Sequence, residues 1–415
     1  MTPKKNNIWD VVVVGGGPAG MMAAGKAGER GKKVLLLEKN SKLGKKLLIT
    51  GGGRCNLTNN RPEIRGMLSK YKGSGDFLFS AFSQFGAAET LDFFHKRGMP
   101  TKEETEGRVF PVSNKAESVW NALQKYLKDG KVEIKTDAEV QDIARGELNN
   151  FSIRLKGNKK ISAQAIVIAT GGMSHKETGS TGAGFLWLKN LGHEVLENNF
   201  ALVPVALTDS WPKKLGGVTL KDIKLTTYQN GKKYDVQAGK LLFTHFGISG
   251  PTVLNMSKDI GELLQGGEVV ISLDLFPNED TAALKAMIQK LLIENSNKMI
   301  KNTLAFVIPA ALVSAILPLC GVSADTPNHS VRSEDRKRLI TLLKGIPLHV
   351  KELVTGKAVV SSGGVALPEV NFKTMESRVL PGVYIVGDVL NINRPSGGYS
   401  LQICWTTGYV AGNSC

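Results

Sequence analysis

The first apolar run of the chain, Val11-Val12-Val13-Val14, is hydrophobic at every position, and it lies between Asp10 and Gly15. An apolar run that does not alternate predicts a strand covered on both faces, as in a parallel sheet. An Ala/Met-rich helix is predicted from Pro18 to about Arg30, then a second strand from Lys33 to Leu37. The segments Val132-Glu133-Ile134 and Ala138-Glu139-Val140 read as short strands, and Ala165 to Ala169 as an apolar strand running into Thr170-Gly171-Gly172. Near the other end, Val383 to Val386 is a strand that stops at Gly387-Asp388. A helix to about Ala411 follows Pro395-Ser396-Gly397-Gly398-Tyr399.

Between these segments the period changes. Residues 200 to 275 break into β-like runs (Ala201 to Leu207, Ile223 to Gln229, Lys240 to Thr244, Glu268 to Leu273) separated by Gly and Pro. Residues 279 to 343 read as helices, with TAALKAMIQKLLIEN amphipathic, and Ala358 to Val365 returns toward the first domain. Thr303 to Val322 holds twenty residues without a charge, long enough to be weighed as a membrane span. Pro309 and Pro318 interrupt it, so a buried helical hairpin is expected.

The glycines give the first strand its chemistry. In a strand-turn-helix unit Gly15 makes the tight turn and Gly17 lets the backbone approach a pyrophosphate, while Gly20 allows helix and strand to pack closely. Pro18 and Ala19 open the helix, whose N-terminus favours phosphate. Glu38 stands 18 residues past Gly20, followed by Lys39, and is placed to accept hydrogen bonds from an adenosine ribose. FAD is longer than this unit can cover. Asp388 is the expected acceptor for its ribityl chain, and the helix after Gly398 the donor of backbone N–H groups to the flavin ring. Val140, Thr170, Gly171, Gly387, Gly397 and Tyr399 complete the expected contacts at the two later strands.

A second triple glycine stands in LLITGGGRCNLTNN, Leu47 to Asn60. Backbone without Cβ atoms at Gly51, Gly52 and Gly53 can lie against a cofactor. Arg54 is then expected at a phosphate or the flavin side, with Asn56 tying the turn. Cys55 is open between two uses: a side chain small enough to fit under the ring, or a proton donor to substrate.

Composition changes this picture in one respect. The chain has 415 residues, 42% of them hydrophobic, enough for two or three domains, and a formal charge of +16 that favours a polyanionic partner. Lys42, Lys45 and Lys46, Lys213 and Lys214, Lys232 and Lys233, and Arg332, Arg336, Lys337 and Arg338 form basic clusters. The four cysteines, Cys55, Cys320, Cys404 and Cys415, and the six histidines show no metal-ligand spacing, so no metal is expected. The start MTPKKNNIWD has no apolar core of a secretory signal, and a cytoplasmic location without stable membrane association is expected. The chain has no second strand-glycine-helix unit; GSTGAG at 179 to 184 does not follow a strand. Any nicotinamide therefore visits the flavin transiently, or the oxidant or reductant is another, such as molecular oxygen.

The blocks GGGPAG, KLLITGGGRCNLTN, GRVFP at 107 to 111, GSTGAG, LLFTHFGISGP at 241 to 251 and GVYIVGDVLNINRPSGGYSLQ resemble a bacterial family of NAD(P)/FAD-dependent oxidoreductases. These are the BaiN-like, YhiN-like or aminoacetone-oxidase-like proteins, which include 23S rRNA dihydrouridine synthases. The resemblance implies an α/β fold: a Rossmann-like FAD-binding domain (1–196 and 356–415), an inserted β-barrel-like domain (197–276 and 344–355) and a small helical subdomain (277–343). It also implies several reactions: oxidation of amino-ketones, reduction of conjugated C=C bonds in steroid-like acids, and reduction of a uridine in 23S rRNA to dihydrouridine with NAD(P)H. Within the shared blocks, Cys55, Arg108, His245 and Tyr399 are the candidates for acid-base or anchoring work. His245 is expected either to pack in its turn or to donate a proton to substrate, and Arg108 to anchor a carbonyl or phosphate or to sit in a structural ion pair. His175-Lys176 and Cys404 depart from the family pattern and bear on substrate preference. Of the reactions implied, the charge favours the one on RNA.

Overall fold

The computed structural model describes residues 8–61, 63–146, 150–196, 200–355, 360–361 and 363–415. The chain forms two compact units, Met1–Phe200 with Val359–Cys415, and Ala201–Ala358. The expected return of the chain at Ala358 to Val365 lies partly outside the described residues.

The first unit is built on a seven-stranded sheet. β1 (Trp9–Val14) leads through a turn into α1 (Pro18–Glu29) and back to β2 (Val34–Leu37), parallel to β1. Beyond β2 lies the parallel strand Glu133–Lys135. The other edge of β1 pairs along the long strand Lys160–Ile168, from Trp9 with Ala163 to Val14 with Ile168. That strand divides its far edge: its first half meets Phe151–Leu155 antiparallel, and its second half meets Val383–Ile385 parallel. The apolar runs are buried as their lack of alternation predicts, with Val11, Val12 and Val13 fully enclosed. Val140 opens a strand, Val140–Arg145, that pairs antiparallel with Phe151–Leu155. Residues Ala138 and Glu139 precede it as loop.

The C-terminal helix, Tyr399–Ser414, runs three residues past its expected end at Ala411 and packs on α1. The approach is close because the helix presents small residues: a Cβ at Gly408 would lie 2.5 Å from the Ala19 carbonyl oxygen. The helices Gly75–Gln84, Ala87–His95 and Ala116–Asp129, which the broad apolar pattern did not single out, complete the core around Phe82, Phe94 and Leu123.

The second unit contains a closed antiparallel barrel of six strands, in the order Val205–Leu207, Gly247–Ser249, Lys232–Thr244, Thr219–Gln229, Val269–Asp274, Ile346–Leu353. The run expected as one strand from Ala201 to Leu207 is broken, because Leu202 adopts φ 54° and Pro204 cannot donate a ladder hydrogen bond. The amphipathic helix forms at Thr281–Glu294, capped by Asp280, whose carboxylate accepts from Ala283 N. Leu284 and Ile288 of that helix share one apolar core with Ile271 and Leu348 of the barrel.

The uncharged segment divides into Ile300–Leu304 and Ala310–Leu319, with Pro309 at the second N-cap. Only one face is enclosed: Leu312, Val313, Ile316 and Leu317 are buried, while Phe306 and Leu319 are 62% and 47% exposed. The expected buried hairpin is thus a pair of short helices, buried on one face and exposed at Phe306 and Leu319. No helix among the described residues is long and apolar enough to cross a membrane.

Candidate functional site

The site grows from the turn after β1. Gly15 has φ 109° and donates to Leu37 O, and a Cβ at Gly20 would lie 1.9 Å from the Gly15 carbonyl oxygen, so the turn and α1 fit together only with glycine there. Gly17 is the N-cap of α1 and provides no side-chain cap; Pro18 fills the first helical position. A Cβ at Gly17 would meet nothing within 4 Å, and no side chain caps the first N–H groups of α1. Ala19 faces the other way, packed against Gly387 and Gly408.

Glu38 is 7% exposed and tightly held. Its Oε2 accepts from Gly16 N at 2.8 Å, and its Oε1 accepts from Asn40 N at 2.8 Å and Asn40 Nδ2 at 2.7 Å. Ala138 N donates to Glu38 O, which places the segment before Val140 beside this carboxylate. The loop through GSTGAG closes over the same place: Lys39 Nζ donates to Thr181 Oγ1, and Asn40 Nδ2 to Thr178 O. Gly171, with φ 74°, stands between Thr170 and this loop.

The two motifs expected at the flavin end, far apart in sequence, are joined directly. Trp405 Nε1 donates to Leu57 O at 2.9 Å, and Thr58 Oγ1 to Gln402 Oε1 at 2.5 Å. In the amide orientation that satisfies both ends, Asn56 accepts from Gly398 N at 3.1 Å and donates to Thr58 O and Val109 O. Gly397 and Gly398 have φ 112° and 101°, and a Cβ at Gly398 would lie 2.4 Å from Thr58 O. The LTNN strand is thereby docked on the first turn of the C-terminal helix. Tyr399 OH accepts from Arg61 Nε, and its ring meets Tyr71 edge-on.

The triple glycine is a turn in which Gly51, Gly52 and Gly53 all have positive φ, at 57°, 67° and 84°. A Cβ at Gly52 or Gly53 would meet nothing within 4 Å, so this backbone presents itself to open space. Arg54 turns away to Glu104 and Asn114 and lies over the Phe110 ring, 4.1 Å from its centroid. Cys55 is fully buried with φ 59°, and burial pushes its thiol up to about 12, so it holds its proton. Arg108 donates to Thr105 O and Thr105 Oγ1 and pairs with Glu106, all in its own turn. His245 is exposed in the turn between two barrel strands of the second unit, with its ring edge-on to Phe246.

Sequence reasoning missed the partners of Asp388. Arg394 Nη2 donates to Asp388 Oδ1 at 2.6 Å, and Lys46 Nζ lies 3.8 Å from Asp388 Oδ2. The signal available was a lone arginine in NINRPSGG, between the Gly-Asp strand end and the glycine pair. Of the Lys42, Lys45 and Lys46 cluster, Lys46 belongs here and Lys45 donates to Asn40 Oδ1, while Lys42 stays exposed over the Trp120 ring.

These residues fit a flavin dinucleotide. Thr170 Oγ1, Ser174 Oγ, Asn59 Oδ1 and Arg394 Nε are buried without a hydrogen-bond partner, an arrangement that costs free energy unless another group supplies one. With the uncapped start of α1 and the Glu38 carboxylate, held through both its oxygens, they are the polar groups that a dinucleotide would meet along the first unit. No group of three or more metal-ligating side chains occurs among the described residues.

The HI0933-like protein Rossmann domain family matches residues 9–414. The chain is 32% identical to the ribosomal RNA dihydrouridine synthase of Escherichia coli, over 97% of this chain and 96% of that protein. It is 31% identical to the 3-dehydro-bile acid delta(4,6)-reductase of Clostridium scindens, over 97% and 98%. The solved 3-ketosteroid delta1-dehydrogenase of Sterolibacterium denitrificans has a similar fold, with a TM-score of 0.54 at 12% identity, over 98% of this chain and 99% of that one.

Proposed function

The chain belongs to the HI0933-like family of Rossmann-domain FAD-dependent oxidoreductases, and from that membership we propose that it reduces the C5=C6 bond of a uridine in 23S rRNA to dihydrouridine, with NAD(P)H as transient reductant. The observation that carries this reading is the charge of +16 on a chain whose relative in Escherichia coli bears the name of that activity. An RNA-modifying enzyme must neutralise phosphates, whereas a small ketone or acid has no such need. Because Lys45 and Lys46 are engaged by Asn40 and by Asp388 and Ser180, the RNA footprint is assigned to the exposed Lys213, Lys214, Lys232, Lys233 and Arg332 of the second unit. A cytoplasmic location follows from the same reading.

FAD, when bound, supplies hydride transfer to one carbon of a C=C conjugated to a carbonyl. The residues of the chain do the rest. Gly17 and the start of α1 would hold the pyrophosphate, Glu38 and Lys39 the adenosine end, and Asp388 the ribityl chain. Gly52, Gly53 and the turn fixed by Asn56 would lie along the cofactor, with Gly397, Gly398 and Tyr399 toward its redox end. The second carbon needs a proton. His245, exposed in its own turn, is the donor proposed here, whereas the sealed, proton-holding Cys55 is assigned to packing, and Arg108 to its turn.

In flavin-loaded protein, His245→Ala is expected to lower turnover by about 100-fold, the usual size of one general-acid contribution. Cys55→Ser is expected to keep most of it; the reverse result would exchange the two roles. The substrate is tested by mass spectrometry of 23S rRNA nucleosides from a strain lacking the gene. Loss of one dihydrouridine, restored by the gene on a plasmid, is expected, and an unchanged dihydrouridine content would sink the RNA reading. A second reading, reduction of a conjugated C=C in a steroid-like acid, has the support of the bile acid reductase at 31% identity. It predicts turnover of such enones at a rate insensitive to salt.

A further inference from the structure

Asp388 does not stand alone. Arg394 is 7% exposed, and its guanidinium donates from Nη2 to Asp388 Oδ1 and from Nη1 to Ile392 O, both at 2.6 Å, while its Nε–H is buried without a partner. Lys46 Nζ approaches the other Asp388 oxygen at 3.8 Å and Ser180 Oγ at 3.5 Å. Two cations thus meet one carboxylate; the exposed Glu177 also acts on Lys46, and the surplus positive charge lies in the enclosed part of the cluster, on Arg394 and Lys46 against Asp388.

A positive helix end adds to it. The C-terminal helix begins at Tyr399 with Gly398 as an N-cap that provides no side chain, and its first turn holds no acidic residue. Arg394 and Asp388 both act electrostatically on Cys404, in the second turn of that helix, and Arg394 also acts on Tyr71, whose hydroxyl donates to Tyr399 O. A helix N-terminus repels a nearby cation. Burying an arginine beside one, with a donor left over, is therefore costly in the protein alone, and it becomes favourable when an anionic group joins the cluster.

Resting on the FAD reading above, we propose that Arg394, assisted by Lys46, is a positioning residue. It fixes the Asp388 carboxylate toward the cofactor, and its surplus charge stabilises the negative charge that bound flavin gains on reduction. The consequence is a reduction potential set higher than Asp388 and the helix alone would give, so that the flavin is readily reduced by a nicotinamide.

The test is the two-electron midpoint potential of the full-length flavin-loaded protein, measured by equilibration with a reference dye. Arg394→Met is expected to cut the reduced-to-oxidised ratio at the wild-type midpoint at least tenfold, a fall of about 30 mV. Arg394→Lys, which keeps the charge, is expected to remain within about threefold of wild type, roughly 14 mV by the same conversion. Lys46→Met removes a cation nearer the surface without opening the core, so it remains measurable if Arg394→Met does not fold, and a fall in the same direction is expected. Unchanged potentials in Arg394→Met and Lys46→Met, or an equal fall in Arg394→Lys and Arg394→Met, would overturn the role of Arg394 and leave the cofactor reading standing. Wild-type protein that neither carries nor takes up FAD would overturn both.

Discussion

Gly20→Ala is expected to lose most of its flavin and to unfold at a lower temperature. The added methyl would stand 1.9 Å from the Gly15 carbonyl oxygen and 3.2 Å from the Ala169 side chain, so the backbone of the turn or α1 itself must move. Overpacking against fixed backbone costs about 3 kcal/mol, or roughly 5–10 °C in Tm for a domain of this size. The displaced helix end should also weaken FAD retention at least tenfold, about 1.4 kcal/mol. Gly17→Ala separates folding from binding, since its methyl meets no protein atom within 4 Å. Its Tm without cofactor should match wild type while FAD binding weakens. Thermal melts and flavin absorbance of the two variants check this, and a Gly20→Ala protein with normal Tm and full flavin content would remove the close-packing argument.

Asp274→Ala should destabilise the second unit by about 3 kcal/mol, the range in which removing one partner of a buried ion pair falls. Asp274 is 3% exposed and receives Lys344 Nζ at 2.8 Å, Lys224 Nζ at 3.0 Å and Phe276 N at 2.9 Å. It ties the end of the helix Ser333–Lys344 to two barrel strands. Lys224 can swing into water, but Lys344 is anchored to Phe276 O and Glu279 O and would remain close to uncompensated.

The same carboxylate gives a pH signature. Burial acts to raise its pKa, the hydrogen bonds from Lys344 and Lys224 outweigh that, and the net effect holds Asp274 below the ordinary aspartate range. A folded pKa below the unfolded one contributes stability that is complete above the unfolded value, near 4, and is lost as pH falls through the folded one. Denaturant midpoints of wild type should therefore fall more steeply below about pH 4 than those of Asp274→Asn. Parallel profiles would show that the pair contributes nothing to acid stability.

Much of this molecule was legible locally. A dinucleotide turn is a short-range object: the Gly15 to Gly20 spacing, the unbroken valines and Glu38 at its distance describe one βαβ unit, and each stands where that spacing implies. The short β runs of residues 200 to 275 and the amphipathic helix were readable for the same reason, since their periods are properties of neighbouring residues; the barrel those runs close into was implied only by the family resemblance. The break at Leu202, the half-exposed helices around Pro309 and the turning away of Arg54 to Glu104 were not. Each is decided by a contact or a backbone angle that no window of sequence contains.

The opposite case is the pairing of GGGRCNLTN with the C-terminal helix. That GGGRCNLTN matters was evident from its composition, but only the tertiary structure lays Leu57 and Thr58 against Trp405 and Gln402, across more than 340 residues of chain. Only the fold enclosed Cys55, making it a thiol that keeps its proton, and only the fold placed Arg394 and Lys46 on the Asp388 carboxylate. By itself the sequence determined that a glycine turn, a bare helix start and Glu38 would meet in one βαβ unit, because helix ends, glycine turns and strand periods are local physics. The tertiary structure decided which charges and hydrogen-bond donors stand beside them, because burial and pairing depend on what the rest of the chain brings alongside.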